Sequence, residues 1–418
     1  MDIGVAILII GFAAIFAAFL LLLNGLIYAE FTNSEIPPAV KNRGKLHVVH
    51  MVMVGAAVIG RILERLGLCH QVVFTRVVIS WFMVRKRPAP PGLRIKDLMF
   101  GDVPVRTYEP TAPSTGRRRG LVYFHGGGWV MGSIGTSDEM CRYIAKESET
   151  VVVSVGYRLA PEHRYPAQLD DCEAATCHFL SVAEAEFGVN PHRVAVGGDS
   201  AGGNLAAALC LRLVQGGRGH LPLPCAQILI YPALQMADFN LPSYLQNHAV
   251  PIVFRPRVAF YFLQYLNGDA SLCKALLEGA HVPADLKVLY RRWLSPDNLP
   301  PEFREPSRNV TDPEPSSHDG EVYHLTCVGL EPFVSPLLAE DDALRRTPPT
   351  FILTCEYDVL RDDGLLFRKR LLDLGVDVSW HHVPDGFHGI INFFNVGWLT
   401  FPSSRGVMNS IVDYVKTL

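Results

Sequence analysis

The feature that most constrains this chain is the pentapeptide GDSAG at residues 198–202, which lies between two apolar runs. Residues 193–197 suit a buried strand, and the Ala-rich run that follows the pentapeptide suits a helix. A sharp strand-to-helix turn projects a serine hydroxyl outward, and glycines two residues to either side avoid collisions with the neighbouring elements. The pattern predicts Ser200 as a nucleophile. The alternative role for this serine is to cap the helix.

A glycine run upstream predicts a site for a negatively charged intermediate. The sequence HGGGW begins at His125, directly after an apolar run, and Gly128 completes the glycines. Glycines there let backbone amides approach a tetrahedral intermediate without interference from a Cβ atom. The motif predicts an oxyanion hole with the donors Gly126, Gly127 and Ala201. A phosphate-binding loop is the alternative, but the glycine spacing is not G-x-G-x-x-G and no G-K-[ST] follows.

A histidine late in the chain is the predicted base. His388 lies in the sequence DGFHG, between turn glycines and after a predicted strand at residues 376–382. In this position it can reach across the edge of a sheet to a serine on a neighbouring strand. His381 and His382 lie inside the strand pattern, and we therefore predict structural roles for them.

A carboxylate between the serine and the histidine completes the predicted catalytic set. Asp358 closely follows a predicted strand at residues 351–355, and its task is to orient the imidazole and stabilise the imidazolium. Asp362 and Asp363 are rivals one helical turn later, and Asp362 is suited to brace the loop or cap the next helix. The chain order serine, aspartate, histidine is the order of the α/β-hydrolases.

Alternating strand and helix patterns from residue 93 onward predict an α/β fold with a mostly parallel sheet and helices on both faces. Residues 93–108 alternate in strand fashion across a Gly-Asp turn, which predicts a hairpin. An interruption at about residues 233–349 predicts a cap insertion within the catalytic domain, residues 93–418. Residues 30–92 precede that domain as cap helices and a linker. Within them, the apolar spacing of residues 46–84 indicates two amphipathic helices that either lie on a membrane or roof an active site.

Residues 3–29 carry no charged side chain and are long enough to cross a bilayer. A cleaved signal peptide is the alternative, but the apolar run exceeds a signal core and no basic residue precedes it. We therefore predict a retained transmembrane anchor within residues 1–29.

The orientation of this anchor is ambiguous from charge. Three basic residues follow the span and Asp2 precedes it, so the positive-inside rule places the rest of the chain in the cytosol. Glu30 and Glu35 dilute that bias. Asn309 begins an Asn-Val-Thr glycosylation acceptor, which favours a lumenal domain.

Composition excludes several functions. The formal net charge is −3 over 418 residues, which gives no electrostatic basis for nucleic-acid binding. The nine cysteines show no C-x-x-C spacing, so neither a zinc site nor a thioredoxin-like site is predicted. The predicted chemistry requires no metal or organic cofactor.

The chain resembles arylacetamide deacetylase and its paralogues, in the hormone-sensitive-lipase branch of the α/β-hydrolases. The resemblance lies in the motifs HGGGW at 125–129, YRLAPE at 157–162, GDSAGGN at 198–204, YPAL at 231–234, YDVLRDDG at 357–364 and DGFHG at 385–389.

This resemblance implies a serine esterase or amidase and a type II anchor that places the catalytic domain in the lumen of the endoplasmic reticulum. It also implies a cap over the acyl pocket. We therefore expect a membrane-anchored hydrolase of lipophilic esters, or of amides, that acts through an acyl-enzyme. The alternative is an inactive, membrane-tethered binding protein on the same scaffold.

Overall fold

The structure is a computed structural model that describes residues 34–85, 87–114, 116–216, 221–304 and 318–418, with scattered positions before residue 34. The predicted anchor, residues 1–29, lies outside these continuous ranges, and so does the acceptor Asn309.

Eight strands among the described residues form one sheet in the order β1-β2-β4-β3-β5-β6-β7-β8. The strands are β1 Leu93–Phe100, β2 Val103–Pro110, β3 Arg118–Phe124, β4 Val151–Val155, β5 Val189–Asp199, β6 Gln227–Ile230, β7 Thr350–Tyr357 and β8 Val378–Phe387. The first two strands form the predicted hairpin, and β2 is also antiparallel to β4. All other neighbouring pairs are parallel. The predicted mostly parallel sheet is therefore confirmed.

The α-helices fall into a cap before the sheet, crossovers between strands, an insertion between β6 and β7, and a final helix after β8. In chain order they are α1 Arg43–Arg65, α2 Gln71–Met83, α3 Ile134–Ser148, α4 Ala167–Phe187, α5 Ala201–Gly216, α6 Pro242–Gln246, α7 Arg255–Leu266, α8 Cys273–Leu277, α9 Ala284–Leu294, α10 Gly320–Thr326, α11 Asp341–Leu344, α12 Arg361–Asp373 and α13 Pro402–Thr417.

The central strands are buried on both faces, which explains their continuous apolar sequences. All five residues of β4 are buried. Successive side chains of a strand point to opposite faces, so Val122 belongs to one hydrophobic core and Leu121 to the other. This arrangement brings the carboxyl ends of β5, β7 and β8 to one edge of the sheet, where ligands of open α/β sheets bind.

The two predicted N-terminal helices are present as α1 and α2, which pack against each other. Among the described residues, α1 has the length and apolar composition of a membrane span. It also contributes buried side chains, including Leu46 and Val49, to the core that contains β3. These contacts identify α1 as part of the folded domain.

Strand β8 is longer than the sequence predicts. It continues past His382 to Phe387, through a proline and a glycine that normally end a strand. Phe387 is fully buried and pairs with Tyr357 after a register shift in β7. This irregular extension places His388 directly at the end of the strand.

Candidate active site

Ser200 lies at the turn between β5 and α5 with a φ of +56°, a strained value for a residue with a side chain. Its amide donates to the carbonyl of Ile230, at 2.8 Å. A Cβ atom on Gly198 would lie 2.3 Å from the Phe124 carbonyl oxygen, and one on Gly202 would lie 2.0 Å from the same atom. The close approach of β3 therefore requires glycine on both sides of the serine.

The structure brings the three distant predicted residues together. His388 Nε2 lies 2.8 Å from Ser200 Oγ, and His388 Nδ1 lies 2.8 Å from Asp358 Oδ2. Since a carboxylate can only accept, Nδ1 carries the proton and Nε2 is free to accept from the serine. Asp358 is fully buried, and its other oxygen accepts from the amide of Leu360 at 2.8 Å. The backbone thus fixes the orientation of this carboxylate.

The two rival carboxylates brace the insertion instead. Asp362 accepts from the amide of Ser243 at 2.7 Å, and Asp363 accepts from the amide of Leu234 at 2.8 Å. Burial raises the pKa of Asp363 to about 7, although the hydrogen bonds that it accepts oppose this shift. Both residues therefore hold the segment after β6 against α12.

The two rival histidines lie in β8, as predicted. The His382 ring lies 3.0 Å from Glu356 Oε2 and 3.0 Å from Thr354 Oγ1, so both of its nitrogens have partners on the neighbouring strand. This pairing is the first cause of the lowered pKa of Glu356.

The glycine loop requires one correction. Gly126 was expected to donate to an oxyanion, but its amide already donates to Asp199 Oδ1 at 2.8 Å. Gly127 and Gly128 follow with φ values of +120° and +61°. A Cβ atom at Gly127 would lie 2.3 Å from the Met131 carbonyl, and one at Gly128 would lie 2.6 Å from the ring of Tyr261. The loop therefore turns sharply next to the cavity and leaves no room for a side chain.

Asp199 is a site residue that the sequence reasoning missed. Its Oδ1 accepts from Tyr123 Oη as well as from Gly126, both at 2.8 Å. Burial raises the pKa of this carboxyl, while the two hydrogen bonds lower it. The available signal was its position inside the predicted turn, immediately before Ser200.

His125 has a structural position. Its Nδ1 lies 2.8 Å from the Gly126 carbonyl oxygen, and its ring stacks on Tyr157 at 4.3 Å between centroids. Burial lowers its pKa to about 4, which keeps the ring neutral at physiological pH. His125 therefore supports the first turn of the glycine loop.

A cavity of about 160 Å³ opens above Ser200 and His388. Its walls are mostly apolar and come from both caps: Val49, Val52, Met53, Ile79 and Phe82 from the N-terminal helices, and Val258, Tyr261 and Phe262 from the insertion. Side chains of the N-terminal helices and of the insertion therefore line the same cavity. Within the described ranges, no cluster of three His, Cys, Asp or Glu residues is arranged to hold a metal ion.

Comparisons with known proteins agree with this architecture. A family model described as the α/β-hydrolase fold matches residues 121–290 and 326–392, more than half of the chain. Arylacetamide deacetylase-like 3 of Homo sapiens is 40% identical over 394 residues, which cover 94% of each chain. Neutral cholesterol ester hydrolase 1 of Rattus norvegicus is 36% identical, over 87% of this chain and 90% of that protein.

A solved structure gives the same result. The hyperthermophilic esterase of the archaeon Pyrobaculum calidifontis superposes with a TM-score of 0.59 at 26% identity, covering 86% of this chain and 97% of the esterase. Together with the relatives above, this similarity shows that the chain belongs to the arylacetamide deacetylase family of α/β-hydrolases.

Proposed function

We propose that this chain, a carboxylic ester hydrolase by its family, cleaves lipophilic esters through an acyl-enzyme formed on Ser200. The observation that carries the proposal is the continuous hydrogen-bonded series from Ser200 through His388 to Asp358. This series lies at the floor of an apolar cavity. Amide substrates fit the same chemistry, since both reactions pass through a tetrahedral intermediate.

In the proposed mechanism, His388 takes the hydroxyl proton as Ser200 attacks the carbonyl carbon. Asp358 stabilises the imidazolium that results and keeps its Nδ1 oriented. His388 then gives the proton to the leaving alcohol. The alcohol departs, and the acyl group remains on Ser200 as an ester. A water molecule activated by His388 hydrolyses this ester and regenerates the enzyme.

The proposed oxyanion hole consists of the amides of Gly127, Gly128 and Ala201. All three residues line the cavity beside Ser200. Ala201 is the first residue of α5, so its amide points out of the helix N-terminus. Fixed donors of this kind stabilise the charge that develops on the carbonyl oxygen.

We propose a substrate with an apolar acyl or aryl group. The cavity is lined mostly by aliphatic and aromatic side chains, which suit an apolar group on the substrate. The names of the relatives, an arylacetamide deacetylase-like protein and a cholesterol ester hydrolase, agree with such substrates. No nucleic-acid partner is proposed.

We further propose a single-pass type II anchor in the endoplasmic reticulum membrane, with the catalytic domain in the lumen. The uncharged residues 3–29 and the family resemblance support this topology. The charge bias after the span favours the opposite orientation. Protease protection in microsomes and glycosidase digestion, with Asn309→Gln as the control, distinguish the two orientations.

Labelling with a fluorophosphonate tests the catalytic proposal. Wild type and Ser181→Ala, a control at an exposed serine on α4, should become labelled, whereas Ser200→Ala should not. A series of p-nitrophenyl esters with increasing chain length, beside one arylacetamide, then defines the substrate class. A folded wild-type protein that takes no label would overturn the proposal in favour of an inactive binding protein.

A further inference from the structure

Helix α2 buries few of its apolar side chains. All thirteen of its residues are described, nine of them are apolar, and Val72 alone is fully buried. Val77 is 63% exposed and Trp81 is 81% exposed. These two residues are four positions apart, so they lie on the same face of the helix. Exposed apolar surface of this kind is unfavourable in water and marks an interaction surface.

The rotation of α2 about its axis is fixed by Arg76. Its guanidinium donates to the carbonyls of Val130 and Ala160, both at 2.8 Å, and pairs with Glu162 at 2.7 Å. Turning Val77 and Trp81 inward would break these contacts with the catalytic domain. The outward position of the two side chains is therefore determined by the fold.

The opposite face of α2 serves the cavity and the domain. Val72 packs with Val130, and Ile79 lines the cavity above Ser200. Residues 72, 76, 79 and 83 recur at helical spacing and form this inner face. One short helix therefore separates the substrate cavity from the exposed apolar surface.

The turn between the cap helices carries two more exposed apolar side chains. Leu66 and Leu68 are exposed there, next to the exposed cations Arg61 and Arg65 at the end of α1. An exposed tryptophan, protruding leucines and neighbouring arginines are the composition of surfaces that insert into a membrane interface.

The sequence before the cap favours a bilayer as the occupant. The uncharged residues 3–29 end only fourteen positions before Arg43, the first residue of α1. A chain anchored by that segment holds its cap close to the lipid. This step rests on the anchor in the proposed function.

We propose that the outer cap face, Leu66, Leu68, Val77 and Trp81, docks on the lipid bilayer. An ester dissolved in the membrane then reaches the cavity beneath α1 and α2 without crossing bulk water. The partner is the acyl region of the bilayer itself, and the docked face acts on substrate access and not on the chemical step.

Fluorescence quenching tests the docking directly. The full chain is reconstituted in phosphatidylcholine vesicles whose acyl chains carry bromine, a quencher of tryptophan emission. We expect bromine to quench part of the tryptophan emission of wild type. This quenched component should be absent from Trp81→Phe. Absence of any quenching that depends on Trp81 would overturn the proposal. A face covered by residues 3–29 would also overturn it, because acrylamide and bromolipid would then both fail to reach Trp81.

Activity provides the second test. The double variant Val77→Ser/Trp81→Ser should lose about tenfold or more of its rate on a long-chain diacylglycerol embedded in the vesicles. Its rate on soluble p-nitrophenyl acetate should stay within about twofold of wild type. Val288→Ser on α9, at a residue that is 76% exposed, is the matched control and should change neither rate. An equal loss on both substrates would contradict docking and indicate a damaged site.

Carbonate extraction and fluorophosphonate labelling separate failure of this inference from failure of the proposed function. A chain that resists extraction and becomes labelled, but shows no quenching of Trp81, retains the anchor and the mechanism and refutes the docking. A chain that is extracted while Trp81 is quenched supports docking and refutes the anchor.

Discussion

The amide of Gly126 donates to the carboxylate of Asp199 at 2.8 Å, which ties the glycine loop to the residue next to the nucleophile. Tyr123 donates to the same oxygen from the carboxyl end of β3. These two hydrogen bonds therefore fix the position of the glycine loop relative to the turn that carries Ser200.

Substitution of Asp199 tests this link. Both hydrogen bonds converge on one oxygen, so Asp199→Asn keeps an acceptor in place and should retain activity within about tenfold. Asp199→Ala removes the acceptor, and we expect kcat to fall about 100-fold, the effect of losing one oxyanion donor. Steady-state kinetics and a melting curve check the result. An equal loss of kcat in Asp199→Asn and Asp199→Ala would show that the negative charge of Asp199 is required, and not only its position as a hydrogen-bond acceptor.

Asp358→Asn should lower kcat by about 10³- to 10⁴-fold, because an amide cannot hold the imidazole in the required tautomer. Asp363→Asn is the matched control, since Asp363 braces the insertion away from the reacting atoms. We expect that control to keep kcat within about threefold while its Tm changes. A normal kcat in Asp358→Asn would exclude the proposed role.

Gly202→Ala should destabilise the fold by about 3 kcal/mol or more. Its Cβ atom would lie 2.0 Å from the backbone of Phe124, which cannot yield as a flexible side chain would. Gly216→Ala, at the other end of α5, has no atom within 4 Å and should be neutral or slightly stabilising. Denaturant unfolding measures both. Similar stability in the two variants would mean that β3 can move.

Buried histidines should make the fold sensitive to acid. Burial lowers the pKa of His125 and of His281 from 6.5 to about 4. Between these values the unfolded chain binds protons that the folded chain does not. The contribution of these histidines to the free energy of unfolding is therefore complete above pH 6.5. It is lost as the pH falls towards 4, by up to about 3 kcal/mol for each residue.

We accordingly expect Tm to decrease from pH 7 to pH 5. His281→Gln retains a donor towards the Met236 carbonyl, which His281 Nε2 approaches at 2.7 Å, and should weaken the pH dependence. If Tm depends on pH as steeply in this variant as in wild type, His281 is not a source of the acid sensitivity.

The preference of the enzyme for acyl groups of a given length should depend on side chains of α1. Met53 lines the cavity together with Val52. Met53→Trp fills part of that space, so we expect kcat/KM for p-nitrophenyl octanoate to fall about tenfold relative to the acetate ester. Val288→Ser serves again as the control. A proportional loss on both esters would place Met53 outside the acyl path.

The sequence predicts the parts of the site that depend on local backbone demands. The glycines at 198 and 202 mark the turn between β5 and α5 because no residue with a side chain fits at either position, and they thereby identify Ser200 between them. Asp358 and His388 follow from the order of strands, since each directly follows the strand that carries it to the same edge.

Other features depend on packing between distant segments and have no local pattern. The bond between Gly126 and Asp199 joins residues 73 positions apart, and the sequence reasoning therefore assigned the Gly126 amide wrongly. The end of β8 was also placed too early, because burial of Phe387 outweighs the usual effect of Pro384 and Gly386. That α1 and α2 line the cavity could not be derived from their own apolar spacing, because it depends on contacts with distant segments of the chain.

The N-terminal cap has a consequence for biosynthesis. Lys45 at the start of α1 donates to the carbonyl of Thr400 at 3.1 Å, across 355 positions of the chain. The ribosome therefore makes the roof first, and the residues on which it rests emerge last. Until those residues emerge, the apolar faces of α1 and α2 have no folded domain to pack on. If the proposed anchor holds the nascent chain at the membrane, the bilayer can cover these faces in the meantime.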